Sequence, residues 1–298
     1  MMQEQVLETG GVALHYAEGP AGGPPLVLLH GGSARWQSWE PLLDDFATTM
    51  HVFAPDLRGH GRSSWLAPHY RLLDYTADIV ALLEQRVPQP AIVFGHSLGG
   101  MVALLAAAQR PDMVRAVIAG DSPLSSASWL AALHDSHARL CEWHDLATRY
   151  HTAGPIIAAL KDSPIEMPGQ AEPVSARAVF GEESPWFAWM ATNLSQLDPA
   201  TLAILLSDAE RAATDYELEP MMRSVQCPVL LLQADPAAGA LMSDAELAVA
   251  RRTWPHVTHT RLDGVSHALH ATHPAIVREA VAAFVRQIGS LGRNEPEP

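Results

Sequence analysis

Three side-chain types able to act together on a carbonyl group recur at the ends of apolar runs in this chain. Ser97 stands in Gly95-His96-Ser97-Leu98-Gly99-Gly100, between the run Ala91-Ile92-Val93-Phe94 and the helix formers Met101 to Leu105. A serine on so tight a strand-to-helix turn needs strained backbone angles, and the flanking glycines let strand and helix approach. The helix that follows directs its N-terminus at the same point, where free amides favour negative charge. A hydroxyl is a poor nucleophile without a base, so the reading demands a histidine and an acid to orient it. His267 lies in Leu262-Asp263-Gly264-Val265-Ser266-His267, and Asp235 lies two residues past Pro228-Val229-Leu230-Leu231-Leu232-Gln233. The expectation is Ser97 as nucleophile, His267 as base and Asp235 as acid, with Asp121 and Asp244 as rivals for the last role.

An acyl-transfer site must also hold an oxyanion. His30-Gly31-Gly32-Ser33 follows the apolar run Leu26-Val27-Leu28-Leu29, and its glycines allow amides to turn inward. The amides of Gly32 (Ser33 its rival) and Leu98 are assigned as donors. His30 is expected to hold that loop by hydrogen bonds. His96 reads as a packing residue of the turn. Asp56, Arg58, Gly59, His60 and Gly61 read as a structural loop with an internal Asp–Arg pair.

The elements that position these groups follow from periodicity. Gln5 to Glu18 reads as a hairpin about Gly10-Gly11. Strands are expected at 26–29, 51–54, 91–94, 114–119, 228–233 and 259–262. Helices are expected at 36–46, 74–86, 98–109, 244–253 and 273–288. Alternation of this kind implies a mostly parallel sheet with helices on both faces. It stops between about 124 and 216, where helical patterns, prolines and the cluster Trp186, Phe187, Trp189 and Met190 suggest an inserted helical cap. The expected division is a core of 1–124 and 217–298, with a cap over 125–216. The tail 292–298 is polar.

These motifs, "LLHGGS", "APDLRGHGRSS", "VFGHSLGG", "CPVLLLQAD" and "DGVSHALH", resemble those of α/β-hydrolase-fold serine hydrolases over nearly the whole chain outside the cap. The resemblance implies a Ser-His-acid site in that chain order and esterase- or lactonase-like chemistry. It departs from many relatives in the shorter segment after the seventh strand, Gln233-Ala234-Asp235-Pro236. Some relatives place the acid after the sixth strand, where Asp121 lies. Relatives that open epoxides or cleave carbon–halogen bonds use aspartate as nucleophile, and serine at 97 argues against both reactions.

The expected activity is therefore cleavage of a carboxylic ester, including lactones, through an acyl-enzyme and without metal or organic cofactor. The alternatives are a carbon–carbon bond hydrolase or a cofactor-free lyase or oxygenase on the same fold, and a non-catalytic binding member. Candidates for substrate contact are Ser33, Trp36, His96, His137, Trp186 and Trp189. His134, His137, Cys141 and His144 fall at helical spacing, but ligands stacked along one helix spread too far to close a tetrahedral zinc site.

The chain of 298 residues has 19 Lys and Arg against 33 Asp and Glu, a net charge of −14. That balance disfavours nucleic acid and anionic lipid as partners and leaves a small-molecule ester or lactone. No run of about 18 apolar residues suggests a membrane span. With two distant cysteines, Cys141 and Cys227, the thiols are expected to be free. The expected location is the cytoplasm.

Overall fold

The computed structural model describes residues 1–165, 172–214 and 216–291. Among the described residues the main sheet has eight strands. These are β1 (Gln3–Thr9), β2 (Val12–Glu18), β3 (Pro25–Leu29), β4 (His51–Pro55), β5 (Ala91–His96), β6 (Val114–Gly120), β7 (Val229–Gln233) and β8 (Val257–Arg261). Their spatial order is β1-β2-β4-β3-β5-β6-β7-β8. β1 and β2 form the expected hairpin, with Thr9 paired to Val12 across Gly10-Gly11, and β2 runs antiparallel to β4. The remaining pairings are parallel.

Every residue of β3, β5 and β7 is buried, as expected for parallel strands covered on both faces. Their side chains alternate between two cores with the two-residue period of a strand. Val27, Leu29, Val93, Val117, Val229 and Leu231 enter one core. Leu26, Leu28, Ile92, Phe94, Ile118, Leu230 and Leu232 enter the other. On the first face pack Leu72, Ile79, Leu82 and Leu83 of α2 (Leu72–Gln85) and the apolar length of α3 (Leu98–Gln109). Opposite them lie Leu42, Leu43 and Phe46 of α1 (Glu40–Ala47) with Val277, Val281 and Phe284 of the C-terminal helix Pro274–Leu291. The expected helix from Trp36 begins as a 3-10 turn, Trp36–Trp39, before α1 takes over at Glu40.

Between β6 and β7 the chain is mainly helical. α4 (Ser126–Asp135), α5 (His137–Arg149), α6 (Ala153–Asp162), α7 (Ala176–Phe180), α8 (Pro185–Ser195), α9 (Ala200–Ser207) and α10 (Ala209–Ala212) succeed one another, with a two-residue ladder between Pro164–Ile165 and Val174–Ser175. This insertion has an apolar cluster of its own, centred on Ile156, Leu160, Phe187, Ala191 and Leu194. It touches the main body through a bridge between His60 and Leu197 and through the Asp198 amide, which donates to the Gly59 carbonyl (2.8 Å). No helix among the described residues is long and apolar enough to cross a membrane. The tail 292–298 lies outside the described residues.

The chain passes from β3 to β4 on one side and then crosses to β5 on the other. In an open parallel sheet such a reversal opens a crevice beyond the carboxyl ends of the strands. The loop 30–33 leaves β3 at that crevice, and Ser97 leaves β5.

Candidate active site

Ser97 sits between β5 and α3 with φ 52° and ψ −118°. Among the described residues three non-glycine positions have positive φ: Ser33 (55°), Ser97 (52°) and Asp121 (41°). Each directly follows, or lies close behind, a sheet strand that ends at the crevice. Backbone angles of this kind are unfavourable for ordinary residues and persist where the surroundings impose them. The surroundings here are tight. A Cβ on Gly95 would lie 2.1 Å from the Gly99 carbonyl oxygen, and one on Gly99 would lie 2.2 Å from that of Leu29. Only glycine permits α3 to start so close to β3 and β5.

His267 follows β8. Its Nδ1–H donates to Oδ2 of Asp121 at 2.7 Å. Asp121 is fully buried, directly after β6. Its other contacts are main-chain donors: Ala234 (3.3 Å) and Met242 (3.2 Å) on Oδ1, and Leu241 (3.0 Å) on Oδ2. Four donors thus hold a carboxylate that no water reaches, and the imidazole is left with Nε2 as its free nitrogen.

Asp235, the expected acid, is not the carboxylate that meets His267. Asp235 is half-buried, and its Oδ1 accepts from Ala237 N–H (2.8 Å), capping the short turn Pro236–Ala238. Its Oδ2 accepts from Gly264 N–H (2.7 Å), so it ties two loops together. The amides of Gly264, first, and Ala237 hold its carboxyl below the ordinary aspartate value. Asp244 is exposed and bonds Arg261 and Gln233.

Ser97 and His267 meet through His96. The His96 ring lies 4.6 Å from that of His267, and its Nε2–H donates to the His267 carbonyl at 2.8 Å. A Cβ on Gly31 would lie 2.9 Å from Nδ1 of His96 and 3.3 Å from Cβ of Ser97. His96 is thus a buried strut wedged among Ser97, the loop that carries His267 and the loop 30–33. The Ser97 hydroxyl and Nε2 of His267 are not hydrogen-bonded to each other among the described residues; such contacts often close only when substrate binds.

The amide of Gly32, on the loop 30–33, and that of Leu98, at the start of α3, carry no hydrogen bond among the described residues. The rival donor, Ser33, is already engaged, its N–H donating to Nε2 of His60 (3.2 Å). Two neutral histidines pin this loop to the one after β4. His30 donates through Nδ1 to the Gly31 carbonyl (2.8 Å) and accepts at Nε2 from Leu57 N–H (2.9 Å). His60 donates through Nδ1 to the Arg58 carbonyl (2.9 Å). Burial lowers the pKa of both, that of His60 to about 3, so each keeps one fixed tautomer. His270 is buried against Trp39 (4.3 Å between rings) and His96 (4.5 Å), and burial lowers it to about 3 as well.

The Asp–Arg pair expected between Asp56 and Arg58 is differently partnered. Arg58 forms a buried fork on Asp78, with both contacts at 2.6 Å. Asp56 accepts from His15 Nδ1 (2.9 Å) and from the amides of Trp36 (2.9 Å) and Arg62 (3.0 Å).

The other candidates for substrate contact have neighbours of their own. Trp36 is buried in the core beneath α1. Trp186 packs on Phe180 (5.0 Å) and Phe187 (5.3 Å), and Trp189 packs on the insertion's own core. His137 lies 3.5 Å from Cys141 Sγ and lines, with His134, Leu130 and Leu205, a cavity of about 210 Å³ in the insertion. The stripe from His134 to His144 is not one helix, because α4 ends at Asp135 and α5 begins at His137. Among the described residues no group of three or more His, Cys, Asp or Glu could hold a metal ion.

Sequence reasoning passed over Arg35. Its Nε donates to Asn193 Oδ1 (2.9 Å) and its Nη1 to Gln196 Oε1 (3.2 Å), joining the oxyanion loop to the end of α8. Its position two residues past Ser33 was the available signal.

Comparison with known proteins agrees with this architecture. A model of the alpha/beta hydrolase fold matches residues 24–145. The chain is 27% identical over 280 residues to the 2-(acetamidomethylene)succinate hydrolase of Mesorhizobium japonicum, covering 94% of each chain. It is 38% identical over 100 residues to lipase LipV of Mycobacterium tuberculosis, a match to 34% of this chain and 38% of that one. The solved structure of Est816, described as an N-acyl homoserine lactone degrading enzyme, superposes with a TM-score of 0.70 at 20% identity, over 94% of this chain and all of the other (100%). The chain has the α/β-hydrolase fold, with a mostly parallel central sheet flanked by helices, and the relatives named here are hydrolases.

Proposed function

We propose that the chain is a serine hydrolase that cleaves a carboxylic ester or lactone, with Ser97 as nucleophile, His267 as base and Asp121 as the acid that orients it. The observation that carries this reading is the 2.7 Å contact from His267 Nδ1 to a fully buried Asp121, beside a serine held at positive φ. With Nδ1 committed to Asp121, Nε2 is the basic nitrogen. It takes the Ser97 proton as Oγ attacks the carbonyl carbon, and Asp121 stabilises the imidazolium formed. The unoccupied amides of Gly32 and Leu98 receive the oxyanion; losing one such donor costs about 3 kcal/mol of transition-state stabilisation. His267 then returns the proton to the leaving oxygen, and water attacks the acyl-enzyme by the same route.

Ser97→Ala is expected to abolish hydrolysis of p-nitrophenyl acetate and labelling by a fluorophosphonate. Retention of both in that variant would overturn the reading. A second reading, acyl–nitrogen cleavage by the same three residues, is favoured by the relative aligned over 94% of both chains, whose named substrate carries an acetamido group. A panel of matched esters and amides separates the two.

A further inference from the structure

Arg35 is a half-buried cation without an anion. Its hydrogen-bond partners, Asn193 of α8 and Gln196 at its end, are neutral amides. Among the described residues it forms no ion pair. Asp56 and Glu40 act on it only through space, and the oxygens of Asp56 are taken by His15, Trp36 and Arg62. Burial lowers its pKa, yet a guanidinium does not give up its proton in a protein. Charged groups withdrawn from water are ordinarily paired with an opposite charge.

Donors at this contact go unused. Two of its five N–H groups are used. Asn193 is 2% exposed, and because the Arg35 Nε–H must face an oxygen, the amide cannot turn over. Its Nδ2 is consequently buried with no partner. An unsatisfied buried donor costs about 1–3 kcal/mol, so this neutral arrangement is poor and open to exchange. The place matters too. Gly31 abuts Ser97, and Ala34 N–H donates back to the Gly31 carbonyl (3.3 Å). That turn brings Ala34, the residue before Arg35, within about 7 Å of Gly31, which itself abuts Ser97. In a chain of net charge −14, an anionic substrate needs a local cation of this kind.

We propose that Arg35 is the carboxylate-binding residue of this site, and that the preferred substrate is an acyl compound bearing a free carboxylate a few bonds from the scissile carbonyl. The proposal rests on the hydrolase reading above. Binding exchanges the neutral amide oxygens of Asn193 and Gln196 for a planar carboxylate, giving charge-assisted, bidentate bonds about twice as strong as neutral ones. Displaced from the guanidinium, the Asn193 amide is free to satisfy its Nδ2.

The test compares p-nitrophenyl hemisuccinate with p-nitrophenyl butyrate, whose acyl chains have the same number of carbons and differ in the terminal carboxylate. The native enzyme should favour the hemisuccinate about tenfold or more in kcat/KM. Arg35→Gln should lose at least about tenfold more on the hemisuccinate than on the butyrate, chiefly through KM, and Arg35→Lys should recover part of the difference. Calorimetric titration of succinate into Ser97→Ala, against Ser97→Ala with Arg35→Gln, reads binding without turnover and should show the same ratio. Equal losses on both esters, or equal succinate binding with and without Arg35, would make Arg35 a strut between loop and insertion and overturn the proposal. Turnover surviving in Ser97→Ala would instead defeat the hydrolase reading, while abolished turnover with no carboxylate preference would defeat only this inference.

Discussion

Lowering the pH from 7 to 5 should destabilise this fold far more than the ionisation of its surface would suggest, because it buries neutral histidines beside its site. His60 and His270 titrate near 3 in the folded chain, and His30 and His96 are shifted in the same direction, in each case chiefly by burial. In the unfolded chain each titrates near its ordinary value of about 6.5. Below that value the unfolded chain takes up protons that the folded chain refuses, so stability falls as the pH drops from about 6.5 towards the folded values. For a histidine shifted to about 3, linkage gives a loss of about 2 kcal/mol between pH 7 and pH 5, so His60 and His270 together contribute about 4 kcal/mol. Against a typical stability of about 5–15 kcal/mol this is a large fraction. Urea unfolding at the two pH values measures it. The discriminating variant is His270→Phe, because both ring nitrogens of His270 lack hydrogen-bond partners among the described residues and its contacts are the rings of Trp39 and His96. Replacing an unsatisfied polar group by an apolar one of similar shape should leave stability at pH 7 unchanged or raised, and should remove about 2 kcal/mol of the acid loss. An acid loss in His270→Phe as large as in the native chain would refute the reasoning.

Further outcomes follow from packing and pairing. Gly99→Ala should cost more than about 3 kcal/mol or prevent folding, since its Cβ would lie 2.2 Å from the Leu29 carbonyl oxygen and no side chain can yield there; thermal unfolding reads this. Arg58→Met should destabilise by about 3–5 kcal/mol by leaving Asp78 charged and buried, and the double variant with Asp78→Leu should recover much of it in the same denaturation assay. In the native state a chromogenic disulfide reagent should titrate Cys141 and spare Cys227, whose thiol is buried and pushed up to about 11; rapid reaction of Cys227 would contradict its burial.

What the sequence made legible was local. The serine turn announced itself because strand, glycines and helix lie within one short window, and tight backbone approaches demand the glycines at 95 and 99. The buried strands were equally plain, because runs such as Val229-Leu230-Leu231-Leu232 suit both faces of a parallel sheet. Which aspartate meets His267 was not legible in the same way. Asp121 and Asp235 both follow strands, and which one faces His267 depends on how the loops after β6, β7 and β8 cross in space. The deciding feature, three backbone amides converging on Asp121 from residues 234 to 242, has no signature along the chain. The histidine stripe from 134 to 144 misled for the opposite reason: its spacing is helical, but the chain breaks at Ser136. Trp36 was a candidate by proximity to the oxyanion loop, yet the 3-10 turn directs it inward. Arg35 drew no notice because a single arginine on a loop has no pattern; its significance lies in the neutral partners that reach it from a helix more than 150 residues away, with separations of 158 and 161.

The central claim is that Asp121, and not Asp235, is the carboxylate that works with Ser97 and His267. The most direct measurement is kcat/KM for p-nitrophenyl acetate in Asp121→Asn and Asp235→Asn, purified and shown folded side by side. Asp121→Asn should fall by about 10⁴-fold, because an amide at this position favours the wrong imidazole tautomer, while Asp235→Asn should stay within a few-fold of the native enzyme. Near-native turnover by Asp121→Asn together with collapse in Asp235→Asn would contradict the account.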